Sequence, residues 1–150
     1  MIGAAAIQPL VTARSEVSVQ SLVRGHRHER WQRIAISSAK QCGRAVVPAV
    51  YEPRPFEAVI AAFAEIALPR PALMCIEPAA TVDAVSLADL EDTPPREMTL
   101  LIGPEGGWTS EEIDAARGLV RRVTFGGRTV RADAMPLVAI AALLARWREM

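Results

Sequence analysis

Cysteine is scarce in this chain. Cys42 and Cys75 are the only two among 150 residues, and they lack metal-ligand spacing. His26 and His28 are adjacent to neither. A disulfide scaffold and a metal centre are therefore not expected, and a reducing, cytoplasmic setting is the default. Long apolar runs are missing too. The longest, Met135 to Ala145, is too short to span a bilayer, so no membrane partner is expected. The apolar N-terminus has no basic n-region, and Gln8 and Pro9 interrupt it, which argues against a signal peptide. No GxGxxG turn follows a strand and no GxxxxGK[ST] occurs, so the usual dinucleotide and P-loop phosphate cradles are absent. There are no repeats, low-complexity segments or long linkers.

At 51% hydrophobic, the chain is long enough for one domain with a real core. Its formal net charge of zero conceals a pattern: +5 over residues 1–50, −9 over 51–118 and +4 over 119–150. Two basic ends would make one basic face if they met in space, and that face would suit a polyanion. Ordinary solvated helix surfaces explain the same charges.

Strands and helices alternate. Ala4 to Val11 reads as a short buried strand, with Pro9 marking an edge or an end. Thr12 to Ser15 then leaves the sheet and places Arg14 at the strand's carboxyl side. Glu29 to Cys42 is an amphipathic helix with Trp31, Ile34, Ala35, Ser38, Ala39 and Cys42 on its less polar face and Gly43 as its stop. Ala45 to Val50 is a second strand. Pro55 starts a helix carrying Phe56, Val59, Ile60, Phe63 and Ile66, and Pro69 ends it. Ala72 to Ile76 has the continuous apolar character of a parallel strand covered on both faces, closed by Pro78 and Thr81. Val82 to Leu90 reads as a weak helix and Asp92 to Pro95 as a surface loop. Met98 to Ile102 is a strand, followed by a helix to Arg117 with Gly118 as stop. Leu119 to Phe125 is another strand, interrupted by Arg121 and Arg122. A final helix carries Pro136 in its first turn and Leu137, Val138, Ile140, Ala141, Leu144 and Trp147 as apolar positions. The pattern predicts an α/β domain with a mostly parallel sheet flanked by helices.

The most informative stretch is Leu100 to Glu112. It reads as a buried strand, a glycine-rich turn and a helix start, with Thr109 and Glu112 at capping-box spacing. Open α/β sheets place ligands at such turns. Glu105 would repel a phosphate there but could receive a hydroxyl, an amine or a cation. S-adenosylmethionine, which carries an ammonium and a sulfonium and no phosphate, suits the turn better than ATP or NAD. Equally, Glu105 could only complement the helix dipole.

Leu101-Ile102-Gly103-Pro104-Glu105-Gly106-Gly107-Trp108 closely resembles the LIGPEGG(F/W) signature of the RsmE family, the 16S rRNA uracil-N3 methyltransferases of the SPOUT class. Pro9 to Ser15 looks like that family's PL-x-T-E-R-S. Glu29 to Ile34, with Gln41-Cys42-Gly43-Arg44 and Pro48, resembles ERWxxI…EQxxR…P. Phe125 to Ala134 resembles LGxRILRxETA. The four segments occur in family order over nearly the whole chain.

The resemblance implies a SPOUT-type trefoil knot near the C-terminus, a homodimer with the final helix in its interface, and S-adenosyl-L-methionine bound by the knot loops. Carried over, the cofactor-binding residues are Ile102, Gly103, Pro104, Glu105, Gly106, Gly107, Phe125, Gly126, Val130, Arg131, Ala132 and Ala134. The implied partner is 16S rRNA or the small ribosomal subunit, and the implied reaction is methylation of a uridine at N3. Arg14 and Arg131 are candidates to hold a phosphate or the developing uracil anion, Asp133 and Glu105 to act as base or as cofactor ligand, and Arg14, Arg30 and Arg44 to contact RNA. The chain departs from the pattern at Ala13, Ser37, Lys40, Ala132 and Ala134. Relative to the family, it is also expected to lack the N-terminal PUA-like barrel and the first strand and helix of the methyltransferase domain. A ribose 2′-O-methyltransferase of the same fold and a non-catalytic RNA-binding or dimerisation module remain the alternatives, with a dehydrogenase as a more distant one.

Overall fold

The computed structural model describes residues 3–65, 71–78 and 83–148. In chain order the elements are β1 (Ala6–Ile7), β2 (Leu10–Val11), α1 (Val19–Arg24), α2 (Arg27–Gln41), β3 (Ala49–Val50), β4 (Arg54–Pro55) and α3 (Phe56–Glu65). These are followed by β5 (Ala72–Cys75), β6 (Val85–Ser86), β7 (Thr99–Ile102), α4 (Ser110–Ala115), β8 (Arg121–Thr124) and α5 (Met135–Arg146). Ile66, Pro69, Thr81 and Val82, where the sequence predicts helix ends and a strand end, lie outside the described residues.

The predicted α/β architecture is what is observed. β5 pairs in parallel with β7 on one side and β8 on the other, and β8 pairs with β6, giving the order β6-β8-β5-β7. Two smaller parallel ladders join β1 to β3 and β2 to β4. Every residue of β5 is buried, as its continuous apolar run requires. Its side chains alternate between two cores. Ala72 and Met74 pack with Phe56, Ile60, Leu101, Trp108 and Ala116 under α3 and α4, while Leu73 and Cys75 pack with Leu90, Val123, Ala139 and Leu143 under α5.

Several elements differ from the sequence expectation, each for a local reason. The first strand splits into β1 and β2 because Pro9 has no N–H; its carbonyl instead accepts from the Arg54 backbone at 3.1 Å, and β1 is exposed rather than buried because it pairs only with the two-residue β3 outside the large sheet. Pro48 likewise limits the second strand to Ala49–Val50. Of the helix predicted over Val82 to Leu90, the described residues 83–90 form no α-helix. Val85 and Ser86 pair with Val123 and Thr124, and the Ser86 N–H and hydroxyl both donate to Asp89 Oδ2 at 2.7 Å, which caps only one 3-10 turn at Leu87–Asp89. The helix after the glycine turn ends at Ala115, short of Arg117, although Gly118 does take the positive φ of a stop, 78°. α1 was not expected; Ser18 caps it by accepting from the Ser21 N–H. On α2, Ala35 and Ala39 are buried, but Ile34 and Cys42 are exposed. On α5 the face against the sheet is Met135, Ala139, Leu143 and Trp147, at steps of four, so the apolar positions Leu137 and Val138 stay exposed.

The last two charge blocks meet across the fold, and four of the last block's six arginines pair with acids of the middle one. Arg121 bonds Glu91, Arg122 bonds Asp83 and Arg146 bonds Asp92. Arg121 and Arg122 therefore belong to β8 and do not interrupt it. The C-terminal block adds little free positive charge. By contrast Arg24, Arg27, Arg30, Arg33 and Lys40, on α1 and α2, are exposed and make no side-chain hydrogen bond or ion pair among the described residues.

The N-terminal strands are tied to the large sheet through Glu112. Thr109 caps α4 by accepting from the Glu112 N–H at 3.2 Å, and Glu112 Oε2 accepts from the Thr109 N–H at 2.9 Å, the predicted capping box. Glu112 Oε1 accepts a further bond from the Ala13 N–H at 2.8 Å, across 99 residues of chain. Glu112 is only 4% exposed, so both amides would be left unsatisfied without its carboxylate. Glu112→Ala is expected to cost about 2–4 kcal/mol in urea unfolding. Glu112→Gln, which keeps one acceptor oxygen, should lose about half of that. Equal stability of all three proteins would refute the assignment. The thiols give a second check. Burial pushes the Cys75 thiol up to about 12, whereas Cys42 is exposed. Iodoacetamide at pH 8 should modify Cys42 and spare Cys75 until the protein unfolds. Above the ordinary thiol value of 9.0 the folded chain keeps a proton that the unfolded chain releases, so this group makes stability fall as pH rises.

Candidate ligand site at the carboxyl ends of the central strands

Because β5, β7 and β8 are parallel, their carboxyl ends lie on one edge of the sheet, where open α/β folds leave a crevice. A cavity of about 410 Å³ occupies that edge. The end of β5 supplies Cys75, Ile76, Glu77 and Pro78; β7 and its turn supply Ile102, Gly103, Pro104, Glu105, Gly107 and Trp108. The loop after β8 supplies Phe125 and residues 128–132. Arg14, Ile113 and Met135 complete the wall.

The turn after β7 is shaped by one buried indole. Trp108 Nε1 donates to the Cys75 carbonyl at 2.9 Å, and its ring packs on Phe56 with centroids 5.2 Å apart at a tilt of 47°. Gly103 lies so close beneath this ring that a Cβ there would stand 3.0 Å from the indole. Gly107 takes a φ of 70° and donates its N–H to the Pro104 carbonyl at 2.9 Å, which reverses the chain. Arg14 crosses the turn from outside. Its Nη1 donates to the Gly106 carbonyl at 2.6 Å and to the Trp108 carbonyl at 3.3 Å. Ser15 holds the Arg14 segment by accepting from the Thr12 N–H at 3.0 Å.

An ion-pair cluster joins the two glycine loops. Arg131 Nη2 meets Glu105 Oε1 at 3.4 Å, and Arg131 Nε meets Asp133 Oδ1 at 3.3 Å. All three side chains are about seven-tenths exposed, so these pairs contribute little stability and can exchange partners easily. Two other charged groups line the cavity: Glu77 and Arg128 make no hydrogen bond or ion pair among the described residues.

Of the residues singled out from the sequence, Arg14, Ile102, Gly103, Pro104, Glu105, Gly107, Phe125, Val130, Arg131 and Ala132 all line this cavity. Gly106, Gly126, Ala134 and Asp133 do not, although Asp133 reaches it through Arg131 and Gly106 through Arg14. Arg30 and Arg44 lie elsewhere; Arg44 Nη1 donates to the Ala4 carbonyl at 3.1 Å. Cys75 to Pro78 also line the cavity, though no sequence motif marks them. The available signal was β5 itself, since a fully buried parallel strand presents its carboxyl end to the crevice. Among the described residues no cluster of three or more His, Cys, Asp or Glu could hold a metal, and no helix is long and apolar enough to cross a membrane.

Comparison with known proteins places this arrangement. A family model for the RNA methyltransferase domain matches residues 1–144. The ribosomal RNA small subunit methyltransferase E of Synechocystis sp. is 34% identical over 145 residues, covering 93% of this chain and 44% of that protein. Its counterpart in Bacillus subtilis is 28% identical, covering 95% of this chain and 56% of its own length. The crystal structure of ribosomal RNA small subunit methyltransferase E from Neisseria gonorrhoeae, bound to S-adenosyl methionine, superposes with a TM-score of 0.79 at 32% identity, covering 97% of this chain and 56% of that one. The chain thus spans about half the length of the relatives it matches. With its parallel sheet, its glycine turn and a family match over residues 1–144, the chain belongs to the RNA methyltransferase domain family.

Proposed function

We propose that this chain is the methyltransferase domain of an enzyme that moves a methyl group from S-adenosylmethionine to N3 of a uridine in 16S ribosomal RNA, acting in the cytoplasm as a homodimer. The observation that carries the reading is the cavity enclosed by the Gly103–Trp108 turn, the 125–134 loop and the end of β5. Its volume suits a ligand of nucleoside size. Its lining also suits the chemistry of S-adenosylmethionine. Apolar Ile76, Ile102, Val130 and Met135 can cover an adenosine, and Glu77 and Glu105 favour a cation over a phosphate. The cofactor-bound relative of Neisseria, similar over almost the whole chain, supports the same ligand. In this reading the 125–134 loop and α5 form the trefoil knot, and the exposed Leu137 and Val138 of α5 face the second protomer.

The group supplied by S-adenosylmethionine is a methyl activated on a sulfonium. The chain must hold the uracil N3 in line with that methyl, and positioning carries much of the rate. It must also deal with the N3 proton or the anion left by its loss. Arg131, tethered between Glu105 and Asp133, is placed to turn its guanidinium toward a developing uracil anion. Asp133 or Glu105, released from Arg131 in that motion, can take the proton. Arg14 is engaged with the Gly106 and Trp108 carbonyls and so also acts by fixing the turn. Arg128, uncommitted at the cavity, is placed to meet an RNA phosphate. The basic surface of α1 and α2, including Arg30, can follow the backbone beyond the target base, which must be unstacked to reach the cavity.

Two measurements test this reading. Calorimetry should show S-adenosylmethionine binding, and nucleoside digests of 16S rRNA incubated with the protein and cofactor should contain 3-methyluridine. A 2′-O-methylated nucleoside would move the chain to ribose chemistry, and the absence of cofactor binding would leave an RNA-binding module. For the basic surface, Arg27→Ala/Arg30→Ala/Arg33→Ala should weaken RNA binding and reduce the slope of log K against log salt by about 2. An unchanged slope removes α2 from the RNA interface.

A further inference from the structure

The cavity is lined by five arginine and glutamate side chains, and most of them already have partners. Arg14 is spent on two carbonyls of the glycine turn, and Glu105 and Arg131 are paired with each other. Glu77 is the one lining carboxylate without a hydrogen bond or ion pair among the described residues. It lies two residues beyond the end of β5, the strand flanked by both β7 and β8, so it sits between the two loops that form the walls. Gly107 leaves it room: a Cβ at that position would stand 3.3 Å from Glu77 Oε1, a contact at which a neighbour must give way. A glycine at positive φ thus keeps this oxygen open to the cavity.

A free carboxylate in a pocket for S-adenosylmethionine has two cationic groups to choose between. The sulfonium has no N–H to donate, and its charge disappears as the methyl leaves. A carboxylate held against it would stabilise the bound ground state more than the transition state and so slow the reaction. The ammonium has three N–H donors and keeps its charge throughout, so a carboxylate there forms charge-assisted hydrogen bonds at no cost to the transfer. Resting on the cofactor reading above, we infer that Glu77 holds the ammonium of the amino-acid end of S-adenosylmethionine.

Three ligands separate the choices. S-adenosylmethionine carries both ammonium and sulfonium, S-adenosylhomocysteine the ammonium only, and 5′-methylthioadenosine neither. Calorimetry with Glu77→Gln, whose thermal midpoint should match the wild type, is expected to show about tenfold weaker binding of the first two and unchanged binding of the third. Loss confined to S-adenosylmethionine would place the carboxylate on the sulfonium and overturn the inference. Equal loss with all three would make Glu77 a structural residue, and no loss with any would remove it from the site; either result overturns the inference. Failure of the wild-type protein to bind any of the three would instead sink the cofactor reading itself.

Discussion

The hydrogen bond from the Trp108 indole to the Cys75 carbonyl is the contact on which the rest of the site depends. It joins the end of the Gly103–Trp108 turn to the end of the neighbouring strand, so the turn cannot lift away from the sheet edge. The indole can reach that carbonyl only because Gly103 has no Cβ to obstruct it. Its ring also packs against Phe56, which is fully buried at the start of α3. One side chain thus links α3, β5 and β7, and the cavity follows from where it holds the turn. The Cys75 carbonyl can serve as acceptor because it lies at the very end of β5, where the ladder with β7 finishes.

Electrostatics divide the molecule into committed and uncommitted charge. Arginines of the last third cancel acids of the middle third in pairs across the fold, so the alternating charge blocks along the chain describe mutual neutralisation more than a binding face. Among the described residues, two groups of side chains outside these pairs matter most. One is the row of cations on α1 and α2, spread over a solvated surface as a polyanion requires. The other is the set of groups at the cavity mouth, where exposed pairs of low energy hold Arg131 without fixing it. Strong pairing would hold Arg131 in one place. Weak pairing leaves its charge available to a ligand.

Much of the fold could be read from the sequence because its signals are local. The buried run of β5, the capping box at Thr109 and Glu112, and Gly43 and Gly118 as helix stops all act through near neighbours. Structure departs from the local pattern where one proline or one pairing partner decides the outcome. Pro9 and Pro48 shortened strands, and Ser86 with Asp89 replaced a helix by a single turn. Both walls of the cavity were legible through the LIGPEGGW and FGGRTVRADA segments. Its floor was not, because Cys75 to Pro78 has no signature of its own; only the order of strands in the sheet puts that segment between the two loops.

Glu112 shows why the N-terminal segment and the glycine turn must be treated as one unit. Its carboxylate is divided between the cap of α4 and the Ala13 amide, while Arg14 reaches over to the Gly106 and Trp108 carbonyls. The segment that carries Arg14 therefore donates to the second half of the turn, and α4 just beyond it holds the segment by its backbone. Residue 13 needs only its N–H for this, so Ala13 can stand where the family pattern has an acid without loosening the clasp. Any force on the first strands is transmitted through these bonds to the wall of the cavity, and a ligand that fixes the wall also fixes Arg14. A change at Arg14 should consequently be felt by a cofactor and by RNA together, because its guanidinium is part of the turn before it is part of any interface.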